Sequence, residues 1–144
     1  MNTKIIKESF SEADTELFAI ELARTLKPGC IVALHGELGA GKTVFARSFA
    51  KGIGVTEQVS SPTYTIVQEY PLDNGTIFFH LDLYRIDNPD SALAFGVDEY
   101  FAEPNAYTLV EWPERVSTIL PETTIHIHIR HTGEFSRQIT LKMP

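Results

Sequence analysis

Gly36-Glu37-Leu38-Gly39-Ala40-Gly41-Lys42-Thr43 matches GxxxxGK(S/T), the pattern of a phosphate-binding loop or Walker A motif. Glycines at 36 and 41 permit backbone angles and close approaches that a side chain would block, so successive N–H groups can turn inward on phosphate oxygens. Lys42 adds a cation able to reach the outer phosphates. Thr43 offers a hydroxyl to a magnesium ion, which keeps most of its water shell and takes few protein oxygens. Before the loop, Cys30-Ile31-Val32-Ala33-Leu34 reads as a buried strand. After it, Val44 to Lys51, with apolar Val44, Phe45 and Phe49 and small Ala46 and Ala50, reads as a helix. Strand, glycine loop and helix in that order aim a helix N-terminus, with its partial positive charge, at an anion.

The rest of the chain is that of a globular protein. Residues 1–144 suit a single domain, with 43% hydrophobic and 22% charged residues. Twelve basic against nineteen acidic residues give a net charge of −7, so the long-range field repels nucleic acid. A direct tRNA or DNA contact then needs a local basic patch or a partner, and the sequence contains no basic run. The single cysteine, Cys30, falls in a predicted core strand, which fits a reducing compartment and excludes an internal disulfide. Met1 to Phe10 lacks the apolar stretch of a signal peptide, and no run approaches a membrane span, so a cytoplasmic location is expected.

In chain order, Lys4 to Phe10 predicts a short strand. Ser11-Glu12-Ala13-Asp14 follows as a helix start, with Ser11 as N-cap and Asp14 in the capping-box position, and the helix runs to about Leu26 before Pro28-Gly29. Gly52 and Gly54 are expected to stop the helix after the loop. Ser60-Ser61-Pro62-Thr63-Tyr64-Thr65 is rich in hydroxyls about twenty residues beyond the glycine loop, a candidate switch over a γ-phosphate, although an ordinary turn fits the same residues.

Asp73-Asn74-Gly75 is a hairpin turn, which makes Thr65 to Tyr70 and Thr76 to Leu81 antiparallel neighbours. Ile77-Phe78-Phe79-His80-Leu81-Asp82 ends on a carboxylate, as a Walker B acid is presented, and His80 within it reads as a packed or surface residue. Arg85 to Phe101 reads as helical and partly irregular. Tyr107 to Trp112 is a second apolar strand bearing an acid, Glu111, at its end. Ile125 to Arg130 alternates isoleucines with His126, His128 and Arg130, and Thr132-Gly133-Glu134 turns it into a strand from Phe135 to Lys142. The H-x-H spacing suits a metal pair, but no third ligand is evident, which favours a polar outer face over zinc.

Four blocks in this order, Gly36 to Thr43, Ser61-Pro62-Thr63-Tyr64-Thr65, His80-Leu81-Asp82-Leu83-Tyr84-Arg85 and Val110-Glu111-Trp112-Pro113, resemble the TsaE family, also called YjeE, over essentially the whole chain. The resemblance implies a bacterial P-loop ATPase that works with TsaB and TsaD in placing threonylcarbamoyl on N6 of the adenosine next to the tRNA anticodon, touching tRNA only through the complex. It implies ATP and magnesium as cofactors. Gly36, Glu37, Leu38, Gly39, Ala40, Gly41, Lys42 and Thr43 become the phosphate cradle, and Thr43 and Glu111 the metal ligands. Thr63 falls in the switch-like loop, Asp82 takes the Walker B position and Trp112 lies near the nucleotide. Further nucleotide contacts are implied, by position alone, at Ser11, Glu12 and Gly133. The loop reads Gly36-Glu37 where Gly-Asp is also common in the family.

The expected fold is an α/β, P-loop NTPase-like three-layer domain: a mostly parallel central sheet, antiparallel additions from the two turns, and nucleotide at the carboxyl ends of the strands. The expected chemistry is slow Mg-dependent ATP hydrolysis, with Lys42, Asp82, Glu111 and Thr63 as the catalytic candidates and stimulation by partners, because no arginine finger is placed by sequence. A small-molecule kinase is the alternative enzyme, disfavoured by the short chain and the absence of an arginine-bearing lid. A nucleotide-binding regulator with incidental hydrolysis is the other.

Overall fold

The computed structural model describes residues 3–37, 39–57, 59 and 66–144. The elements are β1 (Thr3–Ser9), α1 (Glu12–Thr25), β2 (Ile31–His35), α2 (Lys42–Ile53), β3 (Val67–Pro71), β4 (Ile77–Asp82), α3 (Pro89–Ala94), α4 (Val97–Phe101), β5 (Ala106–Glu111), a 3-10 turn at Pro113–Val116, β6 (Ile125–His131) and β7 (Arg137–Met143). The strands form one sheet in the order β1-β7-β6-β2-β5-β4-β3. Its middle, β6-β2-β5-β4, is parallel. Antiparallel strands extend both edges, β3 through the Asp73-Asn74-Gly75 hairpin, and β7 and then β1 on the other side. Both turns act as the sequence predicts.

The parallel strands are apolar because helices cover them. On one face, Ala19, Leu22 and Ala23 of α1 and Phe45, Ala46, Phe49 and Ala50 of α2 bury Val32, Leu34, Phe78, Leu109 and Ile127. On the other, Ala92 of α3, Val97 and Phe101 of α4 and Val116 cover Phe79, Leu81 and Val110. This second layer lies over β2, β5 and β4 and reaches Val67 of β3. Beyond it, His126 and His128 are half-buried and Arg130 and Lys142 are exposed.

Several local expectations change in detail. Gly52 does not stop α2; it lies inside the helix, where a Cβ would meet the Ala23 Cβ at 2.7 Å and the Ile20 carbonyl at 2.9 Å. The missing side chain lets α2 lie close against α1 there, and Gly54, left-handed at φ +106°, is the cap. Ser11 caps α1 by accepting from the Asp14 N–H at 3.1 Å, but the Asp14 carboxylate accepts from Phe10 N–H instead of closing the box on Ser11. The helical region from Arg85 resolves into two short helices capped by Asn88 and Gly96. The β5 strand stops at Glu111, because Trp112 turns left-handed at φ 59° ahead of Pro113.

Candidate functional site

The parallel strands deliver their chemistry at one end. Alternation along β4 puts Phe78, His80 and Asp82 on the side facing α2, and along β5 it does the same for Leu109 and Glu111. Asp82 and Glu111 are partners in register across the two strands. The glycine loop leaves β2 beside them, and left-handed Gly41, at φ 102°, swings the chain into α2 so that the helix begins at Lys42. The N-terminus of α2 therefore opens onto the loop, with Thr43 exposed in its first turn and its hydroxyl free of partners among the described residues.

Lys42, the first residue of α2, is a buried cation. It is 6% exposed, and its Nζ has no hydrogen-bond partner among the described residues. The ammonium lies 4.0 Å from the centre of the Trp112 ring. Burial lowers its pKa, partly opposed by the charges of Glu111, Glu114 and Asp82. A desolvated cation with spare donors beside left-handed glycines and a helix N-terminus suits a polyanion.

Glu111, 4% exposed, is held by His80, which the sequence reads as a packed or surface residue. His80, 1% exposed, donates from Nε2 to Glu111 Oε2 at 2.6 Å. One carboxylate oxygen is thereby committed and the other is left free of partners among the described residues. Asp82 has its pKa raised by desolvation and by the Glu111 charge, against the lowering effect of the Tyr84 N–H that it accepts at 3.0 Å and of His80 and Lys42. The Thr43 hydroxyl and the free oxygen of Glu111 are both hard oxygen donors, sparse as a ligand set. Among the described residues no group of three or more His, Cys, Asp or Glu side chains could hold a metal by itself. That set fits magnesium, which dehydrates reluctantly, and does not fit a metal that demands a protein cage.

A cleft of about 310 Å³ opens from the loop toward α1, lined by Ser11, Glu12, Thr15, Gly41, Val44, Glu134, Phe135 and Arg137. Ser11 and Glu12, matched in sequence by position only, thus share a wall with the end of the loop. The turn containing Gly133 supplies the opposite side through Glu134 and Phe135, the latter 72% exposed. An open apolar ring beside a phosphate cradle is of a kind that accepts the flat face of a base. Leu38 and the whole Ser60 to Thr65 segment, with Thr63, lie outside the described residues.

His126 and His128 take the polar outer face that the sequence predicts, half-buried and opposite the isoleucines, but they are not isolated there. His35, at the end of β2, stacks on His128 with ring centres 4.2 Å apart and planes 6° from parallel, and its Nε2 lies 2.9 Å from Nδ1 of His126. A third imidazole is therefore present, brought in by the β2–β6 pairing. Parallel stacked rings do not aim their nitrogens at a common point, and among the described residues no group of three such side chains could hold a metal, so the arrangement is packing. Burial, then the neighbouring imidazoles and Lys142 and Lys42, lower the His35 pKa to about 4. Its 3.9 Å approach to Glu114 is accordingly no ion pair at neutral pH.

Residues 9–139 match the family model described as "Threonylcarbamoyl adenosine biosynthesis protein TsaE". The tRNA threonylcarbamoyladenosine biosynthesis protein TsaE of Bacillus subtilis (strain 168) is 40% identical over 128 residues, 88% of this chain and 78% of the relative. That of Treponema pallidum (strain Nichols) is 34% identical over 134 residues, 92% and 96% of the two chains. The crystal structure of Bacillus subtilis YdiB superposes with a TM-score of 0.82 at 33% identity, covering 99% of this chain and 87% of that one. With a family match over most of its length, close relatives in sequence and a shared fold, the chain belongs to the TsaE family of tRNA threonylcarbamoyladenosine biosynthesis proteins.

Proposed function

We propose that this protein binds Mg-ATP at the glycine loop and hydrolyses it slowly, in a step that resets or regulates the TsaB–TsaD assembly during threonylcarbamoyl transfer to tRNA. The observation that carries this reading is the buried ammonium of Lys42, without a hydrogen-bond partner among the described residues, beside the in-register Asp82–Glu111 pair. A cation in that position costs stability unless an anion meets it.

Each residue then has a task. The amides of Gly36 to Thr43 and the α2 N-terminus receive phosphate oxygens, and Lys42 leaves the Trp112 ring to meet the outer phosphates. Thr43 and the free oxygen of Glu111 hold magnesium, directly or through its waters, with His80 keeping the carboxylate oriented. Magnesium supplies charge neutralisation on the phosphoryl oxygens. Asp82, raised in pKa yet neighbouring Lys42, stands where it can accept a hydrogen bond from water. The base lies in the cleft of Ser11, Glu12 and Phe135. Thr63 and its loop close over the γ-phosphate. Partners enter through the family: TsaB and TsaD order that loop or supply a cation, which can raise phosphoryl transfer by roughly 10³ to 10⁵.

The test has two parts. Calorimetric titration of Mg-ATP into wild type and Lys42→Ala is expected to show binding lost in the variant. Phosphate release, with and without TsaB and TsaD, is expected to rise on their addition. Equal turnover alone and in the mixture defeats the partner-gated reading, and unchanged ATP affinity in Lys42→Ala defeats the site.

A further inference from the structure

The closed end of the β6–β7 hairpin is attached to the glycine loop in a way that no motif announces. His131 and Arg137 are the last paired residues of the two strands. They donate to successive loop carbonyls, His131 Nε2 to Gly39 at 2.5 Å and Arg137 Nε to Ala40 at 3.0 Å. The other arm of the guanidinium is spent on the hairpin itself, where Arg137 Nη1 donates to the carbonyls of Ser136 at 2.9 Å and of Gly133 and Glu134 at 3.4 Å. No carboxylate pairs with Arg137 among the described residues.

A trans peptide is planar, and its N–H points opposite its carbonyl. Holding the Ala40 carbonyl toward β7 therefore sends the Gly41 N–H to the other side of the loop, where a phosphate would lie. Holding the Gly39 carbonyl orients the Ala40 N–H, which closes the loop's own turn onto the Glu37 carbonyl at 3.1 Å. Left-handed Gly39 and Gly41 have wide conformational freedom, and these two bonds remove it before any ligand arrives.

We propose that the His131–Arg137 rung is a brace that pre-organises the phosphate loop through its outward carbonyls, making both side chains positioning residues for the nucleotide. This rests on the ATP-binding reading above. Geometry separates the two donors. A lysine at 137 cannot serve the Ala40 carbonyl and the turn carbonyls at once, because it lacks the planar fork. A glutamine at 131 carries an N–H donor near the position of Nε2.

The experiment compares wild type, Arg137→Ala, Arg137→Lys, His131→Leu, His131→Gln and, as a charge control on the same hairpin, Arg130→Ala, whose guanidinium donates to Gln138 at 3.1 Å. Thermal melting establishes that each variant folds. Amide hydrogen exchange of the 36–43 peptide is measured without nucleotide, and affinities are measured for Mg-ATP, inorganic tripolyphosphate and adenosine. Arg137→Ala is expected to speed exchange in the loop and to weaken ATP and tripolyphosphate alike, by about tenfold or more, the value of a hydrogen bond to a charged group. Adenosine, whose cleft Arg137 also lines, is expected to lose much less affinity than tripolyphosphate does. Arg137→Lys should not recover the loss, His131→Leu should share it in part, and His131→Gln and Arg130→Ala should behave as wild type.

Unchanged loop exchange in Arg137→Ala overturns the brace. A loss confined to ATP and adenosine, with tripolyphosphate spared, also overturns it, because Arg137 would then be a direct contact to the base. If wild type binds neither ATP nor tripolyphosphate, the ATP reading fails, while the exchange comparison on the free protein still decides the brace.

Discussion

Replacing Lys42 by methionine is expected to make the free protein more stable and the nucleotide-bound protein less so. Methionine has nearly the same length and shape, so packing against the Trp112 ring is largely kept. What is removed is an ammonium 6% exposed with no hydrogen-bond acceptor among the described residues. An unsatisfied buried donor costs about 1–3 kcal/mol, and more when charged. Against this stand the cation–π contact at 4.0 Å, worth about 0.5–2 kcal/mol, and attraction from Glu111, Glu114 and Asp82. The difference leaves Lys42→Met more stable by about 1 kcal/mol, a rise of about 3 °C in Tm for a chain of this size. Ligand reverses the order. At about 100 times Kd, Mg-ATP stabilises wild type by about 2.7 kcal/mol, most of which the variant forfeits. Thermal melts of both proteins, with and without Mg-ATP, should therefore cross. A variant that melts below wild type in the absence of nucleotide would refute the reasoning, because Lys42 would then be satisfied by Trp112 and the acids.

Three further outcomes follow from the same site. His80→Leu strands the Glu111 carboxylate without its donor and should cost about 3 kcal/mol in urea unfolding, with His80→Gln restoring most of it by replacing the Nε donor. The folded protein holds His35 near pKa 4 against an ordinary value of 6.5, so between these values the unfolded chain binds more protons. Stability thus falls as pH drops through that window, by about 2 kcal/mol between pH 7 and pH 5. His126 and His128, also lowered by burial, add in the same direction, and His35→Asn should flatten the profile; an unchanged slope counts against the assignment. Trp112 is the only tryptophan, and its ring loses the Lys42 ammonium when phosphate takes it, so its fluorescence should change on adding Mg-ATP. A silent Trp112 despite proven binding places Lys42 elsewhere.

Where a signal was local, the amino-acid sequence determined it alone. The glycine loop, the strand before it and the helix after it are a contiguous pattern, and the alternation of Ile125, Ile127 and Ile129 and the Asp73-Asn74-Gly75 turn specify strand and hairpin through neighbouring residues only. The two acids were legible because each ends an apolar run, and the four motif blocks identified the family. Tertiary structure decided what meets across the sheet. Periodicity tells which face a side chain takes but not which strand lies beside it, and the order β6-β2-β5-β4 is what brings His80 to Glu111, His35 to His126 and His128, and the Asp82–Glu111 pair into register. The same holds for the cleft that joins Ser11 and Glu12 to Phe135, and for Arg137, which reaches a loop carbonyl 97 residues away. A lone histidine or arginine in a strand carries no mark of its partner, because the hydrogen bond that defines its role depends on strand order and register, which are set by how the whole apolar surface packs.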